Sequence, residues 1–126
     1  MAGAGSTLQG PGRRVSERQK VLFICSRNQW RSPTAEQVFC KHPALAVRSA
    51  GTSASARRHV SDVDLAWADV NVVMENKHKS RLLQHHAELL AGKAMHVLDI
   101  PDDYPCMDPE LVELLEGAVP ALLGLR

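Results

Sequence analysis

The sequence predicts an α/β domain of three layers, in which a four-stranded parallel sheet is flanked by helices on both faces. Residues 21–24 form a short apolar run without alternation, which is typical of a strand buried on both faces. Further apolar runs at residues 45–47, 70–74 and 94–100 predict three more strands, the last interrupted by polar residues. Helical patterns separate these runs, and strands that alternate with helices favour right-handed βαβ units.

The helices are predicted from their start signals. A polar residue that can cap a helix, followed by proline, marks a helix start, because the first helical residue needs no N–H donor. This signal occurs at Ser32–Pro33 and again at Asp108–Pro109. Between them, Ser61 can cap a short helix, and residues 75–91 form a longer polar helix with an apolar side.

The length and the distribution of glycine predict one domain preceded by a tail. A chain of 126 residues suits a single compact domain, here expected over residues 19–126. Residues 1–18 hold four of the eight glycines and are expected to form a flexible tail. The first residues contain no apolar run, so no signal peptide is expected, and no stretch is long and apolar enough to predict a membrane span.

The charge and the cysteines limit the function classes. The formal net charge of +1 predicts no binding to nucleic acid polymers or membranes, so any preference for anions must come from a local site. Three scattered cysteines are too few for a disulfide framework, and we expect a cytoplasmic protein with reduced thiols. Six histidines include the adjacent pair His85 and His86, but no set has zinc spacing, and no metal or cofactor is expected.

Cys25 and Arg31 bracket a polar loop between the first predicted strand and the first helix. A loop of this length can turn its backbone N–H groups toward one centre and form an anion-binding nest, which favours a cysteine thiolate. Arg31 can hold two phosphate oxygens with its planar guanidinium, and the thiolate of Cys25 can attack phosphorus. The residues predicted to bind phosphate are Ser26, Arg27, Asn28, Gln29, Trp30, Arg31 and Ser32.

The segment VLFICSRNQWRSPTAE, residues 21–36, closely resembles the catalytic loop of the low-molecular-weight protein tyrosine phosphatases. The resemblance continues over about residues 20–123, and within the family the chain is similar to a short bacterial subfamily of predicted tyrosine phosphatases. It implies a four-stranded parallel sheet and an enzyme without metal or cofactor that acts on a phosphorylated substrate through a phosphocysteine. The implied roles are nucleophile for Cys25, phosphate clamp for Arg31, loop stabilisation for Asn28, a hydrogen bond to the thiolate for Ser32 and a buttress for Ser49.

The loop before the last helix is the candidate source of a general acid. The resemblance implies an aspartate there, which protonates the leaving group and later activates water. Counting back from the helix assigns this role to Asp102 and a pocket-wall aromatic to Tyr104, with Asp103 as the alternative acid. Asp108, which precedes a proline, is better interpreted as a helix cap.

Three other functions stay open at the level of sequence. Arg27, Trp30 and the short chain are compatible with a small phosphorylated metabolite or nucleotide as the substrate instead of phosphotyrosine. An arsenate-reductase-like redox enzyme needs two further cysteines in a mobile segment, and Cys40 and Cys106 do not form such a pair. A module that binds phosphate without turnover is the third alternative, and Cys25, Arg31 and a candidate acid argue against it.

Overall fold

The computed structural model describes residues 18–125, so that the predicted tail lies outside the described residues except for residue 18. The elements are β1 Gln19–Cys25, α1 Arg31–Phe39, β2 Leu45–Gly51, α2 Asp62–Trp67, β3 Val70–Val73, α3 Asn76–Leu90, β4 Ala94–Val97 and α4 Pro109–Leu123. Within residues 18–125, no helix has the length and the apolar character required to cross a membrane.

The four strands form one parallel sheet in the order β2-β1-β3-β4. The register pairs Cys25 with Gly51 and Ile24 with Val73, so the carboxyl ends of the three strands lie at the same edge. The predicted α/β class with a parallel sheet is confirmed. The carboxyl edge of β1, next to the change in strand order, is where ligands bind in such sheets.

Both faces of the sheet are covered by helices. Val21 and Phe23 of β1 pack on one face with α1 and α4, through residues such as Phe39. Leu22 and Ile24 point to the other face, where α2 and α3 pack. Residues 21–25 are all buried, which explains why this strand is continuously apolar.

Helix α1 begins earlier than the capping signal predicts. Its first residue is Arg31, and its N-cap is Trp30, which makes no side-chain capping hydrogen bond. The prediction of Ser32 as N-cap is therefore wrong, because the Ser32 hydroxyl contacts the Cys25 thiol instead. Pro33 still lies in the first turn, where its missing N–H has no helical partner to lose. The same signal is confirmed at α4, where the Asp108 side chain accepts from the N–H of Glu110 at 2.9 Å.

Two strand boundaries also differ from prediction. β2 continues beyond residue 47 to Gly51, although its later residues are polar, because its backbone pairs with β1 over the full length. β4 ends at Val97 and not at Ile100, since Asp99 has a positive φ of 57° that interrupts an extended backbone.

Candidate active site

The loop that follows β1 curls around the Cys25 side chain. The carbonyls of Cys25, Ser26 and Arg27 accept hydrogen bonds of 2.9 Å from N–H groups in the segment 52–57. Because the C=O and the following N–H of a trans peptide point in opposite directions, the N–H groups of residues 26–28 point away from that segment. Asn28 adopts a left-handed backbone with φ 56°, which tightens the curl and which asparagine tolerates well. This arrangement produces the donor-lined concavity expected of an anion site.

The Cys25 thiol is buried and contacts a hydroxyl. The distance from Cys25 Sγ to Ser32 Oγ is 3.0 Å. Asn28 Nδ2 donates to Ser32 Oγ at 2.9 Å, so the Ser32 hydroxyl hydrogen is left to donate to Cys25 or to the Ala50 carbonyl, 3.3 Å away. A hydroxyl directed at sulfur stabilises a thiolate through a charge-assisted hydrogen bond.

The hydrogen bonds continue from Asn28 to a carboxylate. Asn28 Nδ2 also donates to Ser49 Oγ at 2.9 Å, and the Ser49 hydroxyl donates to Glu36 Oε1 at 2.5 Å. Because a carboxylate only accepts, Glu36 orients the Ser49 hydroxyl so that its lone pair faces Asn28. Through Ser49, Glu36 therefore orients the Asn28 amide, which donates to the Ser32 hydroxyl beside Cys25. It lies within the segment that carries the family resemblance, but nothing in the sequence alone assigns it this position.

Arg31 is the largest fully buried side chain described, and hydrogen bonds hold its guanidinium in place. Its Nη1 donates to a carboxylate oxygen of Glu75 and to the carbonyl of Ile100, the latter at 2.8 Å. Its Nε lies 3.6 Å from Asp102 Oδ1, which is longer than a hydrogen bond. This Nε has no hydrogen-bond partner among the described residues. A buried guanidinium with an unpartnered donor is suited to a bound anion.

Glu75 and His78 connect the start of α3 to the phosphate loop. The N–H of Glu75 donates to His78 Nδ1 at 3.0 Å, so the ring hydrogen lies on Nε2, which donates to Ser26 Oγ at 2.8 Å. Burial, with the neighbouring Arg31 charge, lowers the pKa of His78 to about 4. Burial raises the pKa of Glu75, but the hydrogen bond and the charge of Arg31 outweigh that effect and lower it. At neutral pH His78 is therefore neutral and Glu75 is ionised.

Sequence reasoning did not identify Glu75 and His78 as site residues. The available signal was their spacing, because a residue three positions after an N-cap can return its side chain to the cap and form a capping box. That spacing does not reveal that the other ring nitrogen of His78 reaches Ser26.

A cavity of about 270 Å³ opens above Cys25. It is lined by Cys25, Arg27, Gln29, Trp30, Arg31 and Asp102. Of the two candidate acids, Asp102 lines this cavity, whereas Asp103 does not. Tyr104 does not line it either, contrary to the expected pocket wall, because its ring packs on the core and its hydroxyl donates to Glu110 at 3.3 Å.

The other cysteines and the histidines lie apart from this cavity. Cys40 and Cys106 are exposed free thiols, and neither lines the cavity that contains Cys25. Within the part of the chain that the structure describes, no group of three His, Cys, Asp or Glu side chains is arranged to hold a metal ion.

No protein-family model matches the chain, and no curated protein is significantly similar to it. Several solved structures are similar in fold. The low molecular weight protein tyrosine phosphatase from T. tengcongensis has a TM-score of 0.70 and 23% identity, with 84% of this chain and 98% of that chain covered. Vibrio vulnificus Wzb, solved in complex with benzylphosphonate, has a TM-score of 0.69 and 25% identity, with 84% and 97% covered.

The YwlE arginine phosphatase from Geobacillus stearothermophilus has a TM-score of 0.67 and 20% identity, with 84% of this chain and 94% of that chain covered. The chain has the fold of the low-molecular-weight protein tyrosine phosphatases, the family that its cysteine loop resembles.

Proposed function

We propose that this protein is a cysteine-dependent phosphatase that hydrolyses phosphate monoesters through a phosphocysteine, as a protein tyrosine phosphatase does. One observation carries the proposal. The Cys25 thiol, 3.0 Å from the Ser32 hydroxyl, lines the same cavity as the buried Arg31 guanidinium, whose Nε has no hydrogen-bond partner among the described residues. A nucleophile beside a fixed anion clamp is the minimum requirement for phosphoryl transfer to sulfur.

In the first step the phosphate of the substrate binds to Arg31 and to the N–H groups of the loop. The Cys25 thiolate attacks phosphorus, so that a P–S bond forms while the P–O bond to the leaving group breaks. The negative charge on the three equatorial oxygens is stabilised by Arg31 and the loop N–H groups. Asp102, at the cavity wall, donates its proton to the leaving oxygen.

In the second step the carboxylate of Asp102 takes a proton from water. The hydroxide oxygen attacks phosphorus, the P–S bond breaks, and the electron pair returns to the sulfur of Cys25. Phosphate leaves, and the thiolate and the protonated Asp102 are restored. One carboxyl group thus serves both steps, first as acid and then as base.

The aromatic rim of the cavity supports phosphotyrosine as the substrate. Trp30 lines the cavity and leaves 42% of its surface exposed, so an aromatic leaving group can pack against the indole. The similar structures include proteins named as tyrosine phosphatases and one named as an arginine phosphatase. Phosphotyrosine in a protein is the substrate that the fold relatives and the indole rim together support, and we propose the cytoplasm as its compartment.

The experiment is a panel of phosphotyrosine peptides, phosphoarginine, nucleotides and sugar phosphates, assayed with the wild type and with Cys25→Ser. We expect phosphotyrosine peptides to give the highest kcat/KM, and Cys25→Ser to lower it by a factor of about 1000 or more. Cys40→Ser and Cys106→Ser are matched controls, because they change exposed thiols outside the cavity. Turnover that survives in Cys25→Ser contradicts the proposal, as does arsenate reduction without phosphatase activity.

A further inference from the structure

A second and larger cavity borders the phosphate loop on the side of α3. It measures about 570 Å³, and Ser26, the residue after the nucleophile, forms part of its wall together with Ser53. The rest of the wall includes Lys77, Ser80 and Arg81. No aspartate or glutamate lines this groove, which we call the α3 groove.

The α3 groove is formed along one side of the helix. Lys77, Ser80, Arg81 and Gln84 are spaced at i, i+3, i+4 and i+7, so they lie on one helical face. Seven residues of helix extend over about 10 Å. The groove therefore offers a row of two cations and two neutral hydrogen-bonding side chains that starts beside the phosphate loop.

The two cations of the groove are incompletely neutralised by the described chain. Arg81 makes no ion pair or hydrogen bond with any residue of the range 18–125. Lys77 is 64% exposed and lies 3.7 Å from a carboxylate oxygen of Glu75, which also accepts from Arg31. His78 is neutral at pH 7. Since the whole chain has a formal charge of only +1, this positive charge is a local property of the groove.

Lys77 and Arg81 are like charges four residues apart on one helix, an arrangement that lowers the stability of α3. We propose that the α3 groove binds acidic residues that flank the phosphorylated residue of a protein substrate. This inference rests on the proposed function and specifies its substrate class. An extended peptide advances about 3.3 Å per residue, so about three residues can lie along the row. The serine and glutamine side chains can bond the peptide backbone while Lys77 and Arg81 pair with its carboxylates.

The test compares phosphotyrosine peptides that carry acidic residues on the amino side, on the carboxyl side or on neither side. For the wild type we expect one of the two acidic peptides to have a kcat/KM higher than the neutral peptide by about 3-fold for each carboxylate in the groove. This preference falls as the salt concentration rises, because ion pairs at a rim are screened. In Arg81→Gln the preference is reduced, and in Arg81→Glu it disappears or reverses.

Lys79→Gln is the matched control. It removes the same charge from the same helix, but Lys79 lies off the face that lines the groove. We expect Lys79→Gln to keep the wild-type ratio between acidic and neutral peptides. If the wild type hydrolyses all peptides equally well, the inference is refuted but the phosphatase proposal stays intact. If Lys79→Gln and Arg81→Gln lose the preference for the acidic peptide equally, the inference is also refuted, because the preference then reflects general electrostatic attraction to the protein. If no phosphotyrosine peptide is hydrolysed, the proposed function and the inference both fail.

Discussion

Replacing Glu75 with glutamine separates the charge of this residue from its hydrogen bonds. Arg31 is 1% exposed and Glu75 is 29% exposed, so the pair is mostly removed from water. The amide oxygen of glutamine can still accept from Arg31 Nη1 and from the backbone of α3, which preserves the capping box. Glu75→Gln therefore leaves the buried Arg31 cation with neutral acceptors, the glutamine amide and the Ile100 carbonyl, and with the more distant Asp102 as its remaining carboxylate among the described residues.

The expected loss of stability follows from these contacts. Removing one partner of a fully buried ion pair costs about 3–5 kcal/mol. Because Glu75 is partly exposed and Asp102 lies 3.6 Å from Arg31 Nε, we expect Glu75→Gln to cost less than this range, about 2 kcal/mol. A bound phosphate supplies negative charge to the same guanidinium, so inorganic phosphate should stabilise the variant more than it stabilises the wild type.

Urea unfolding with and without phosphate measures both effects. The control is Glu113→Gln, a substitution on the exposed side of α4, which should change the unfolding free energy by less than about 0.5 kcal/mol. If Glu75→Gln is as stable as the wild type, Arg31 is not the buried, carboxylate-held cation described here. If phosphate stabilises the two proteins equally, the anion does not bind at Arg31.

Three further predictions concern the acid loop, the β2 glycine and the buried histidine. Asp102→Asn should lower kcat about 100-fold for substrates with poor leaving groups, whereas Asp103→Asn should have little effect; the opposite order in a leaving-group series would exchange their roles. A Cβ at Gly51 would lie 2.5 Å from a carbonyl oxygen of the phosphate loop, so Gly51→Ala should lower kcat/KM by a factor of about 10 or more and destabilise the fold by about 1–3 kcal/mol. Gly117→Ala, where a Cβ meets nothing within 4 Å, should have neither effect in the same assays. The pKa of His78 is about 4 in the folded chain and near 6.5 in the unfolded chain. Between these pH values the unfolded chain binds more protons than the folded chain. The free energy of unfolding should therefore fall by about 3 kcal/mol as the pH drops from 6.5 to 4. His78→Gln should lose this part of the pH dependence in denaturation experiments, and an unchanged slope would show that His78 is not buried in its neutral form.

The fold was predictable because its main signal is local. β1 is buried on both faces, and its continuous apolar run reflects that directly. The second half of β2 was missed because its polar residues are satisfied by residues distant in the sequence. Arg48 pairs with Asp64 at 3.2 Å and stacks over the Trp67 ring at 4.1 Å, while Ser49 is buried against Glu36. A sequence pattern predicts a loop for such polar strand residues, because the partners that satisfy them are brought close only by tertiary packing.

The candidate site likewise contains residues that are predictable from local spacing and residues that only tertiary packing brings together. Cys25, Asn28, Arg31 and Ser32 lie within one loop and one helix turn, so their spacing reveals the chemistry. Glu75 contacts Arg31 across 44 positions, and His78 contacts Ser26 across 52. The orientation of Tyr104 away from the cavity likewise depends on the packing of α4 and not on the sequence of the acid loop.

In the proposed mechanism Cys25 carries the phosphoryl group during turnover. The most direct measurement is a denaturing quench at neutral pH of Asp102→Asn during hydrolysis of an aryl phosphate whose leaving group departs without a proton, followed by mass spectrometry of the intact protein and its peptides. Loss of the base should slow the second step, so one phosphoryl group should accumulate on Cys25 and be absent in Cys25→Ser. Hydrolysis that proceeds with no phosphoryl group on Cys25, or with the group on another residue, would contradict Cys25 as the nucleophile.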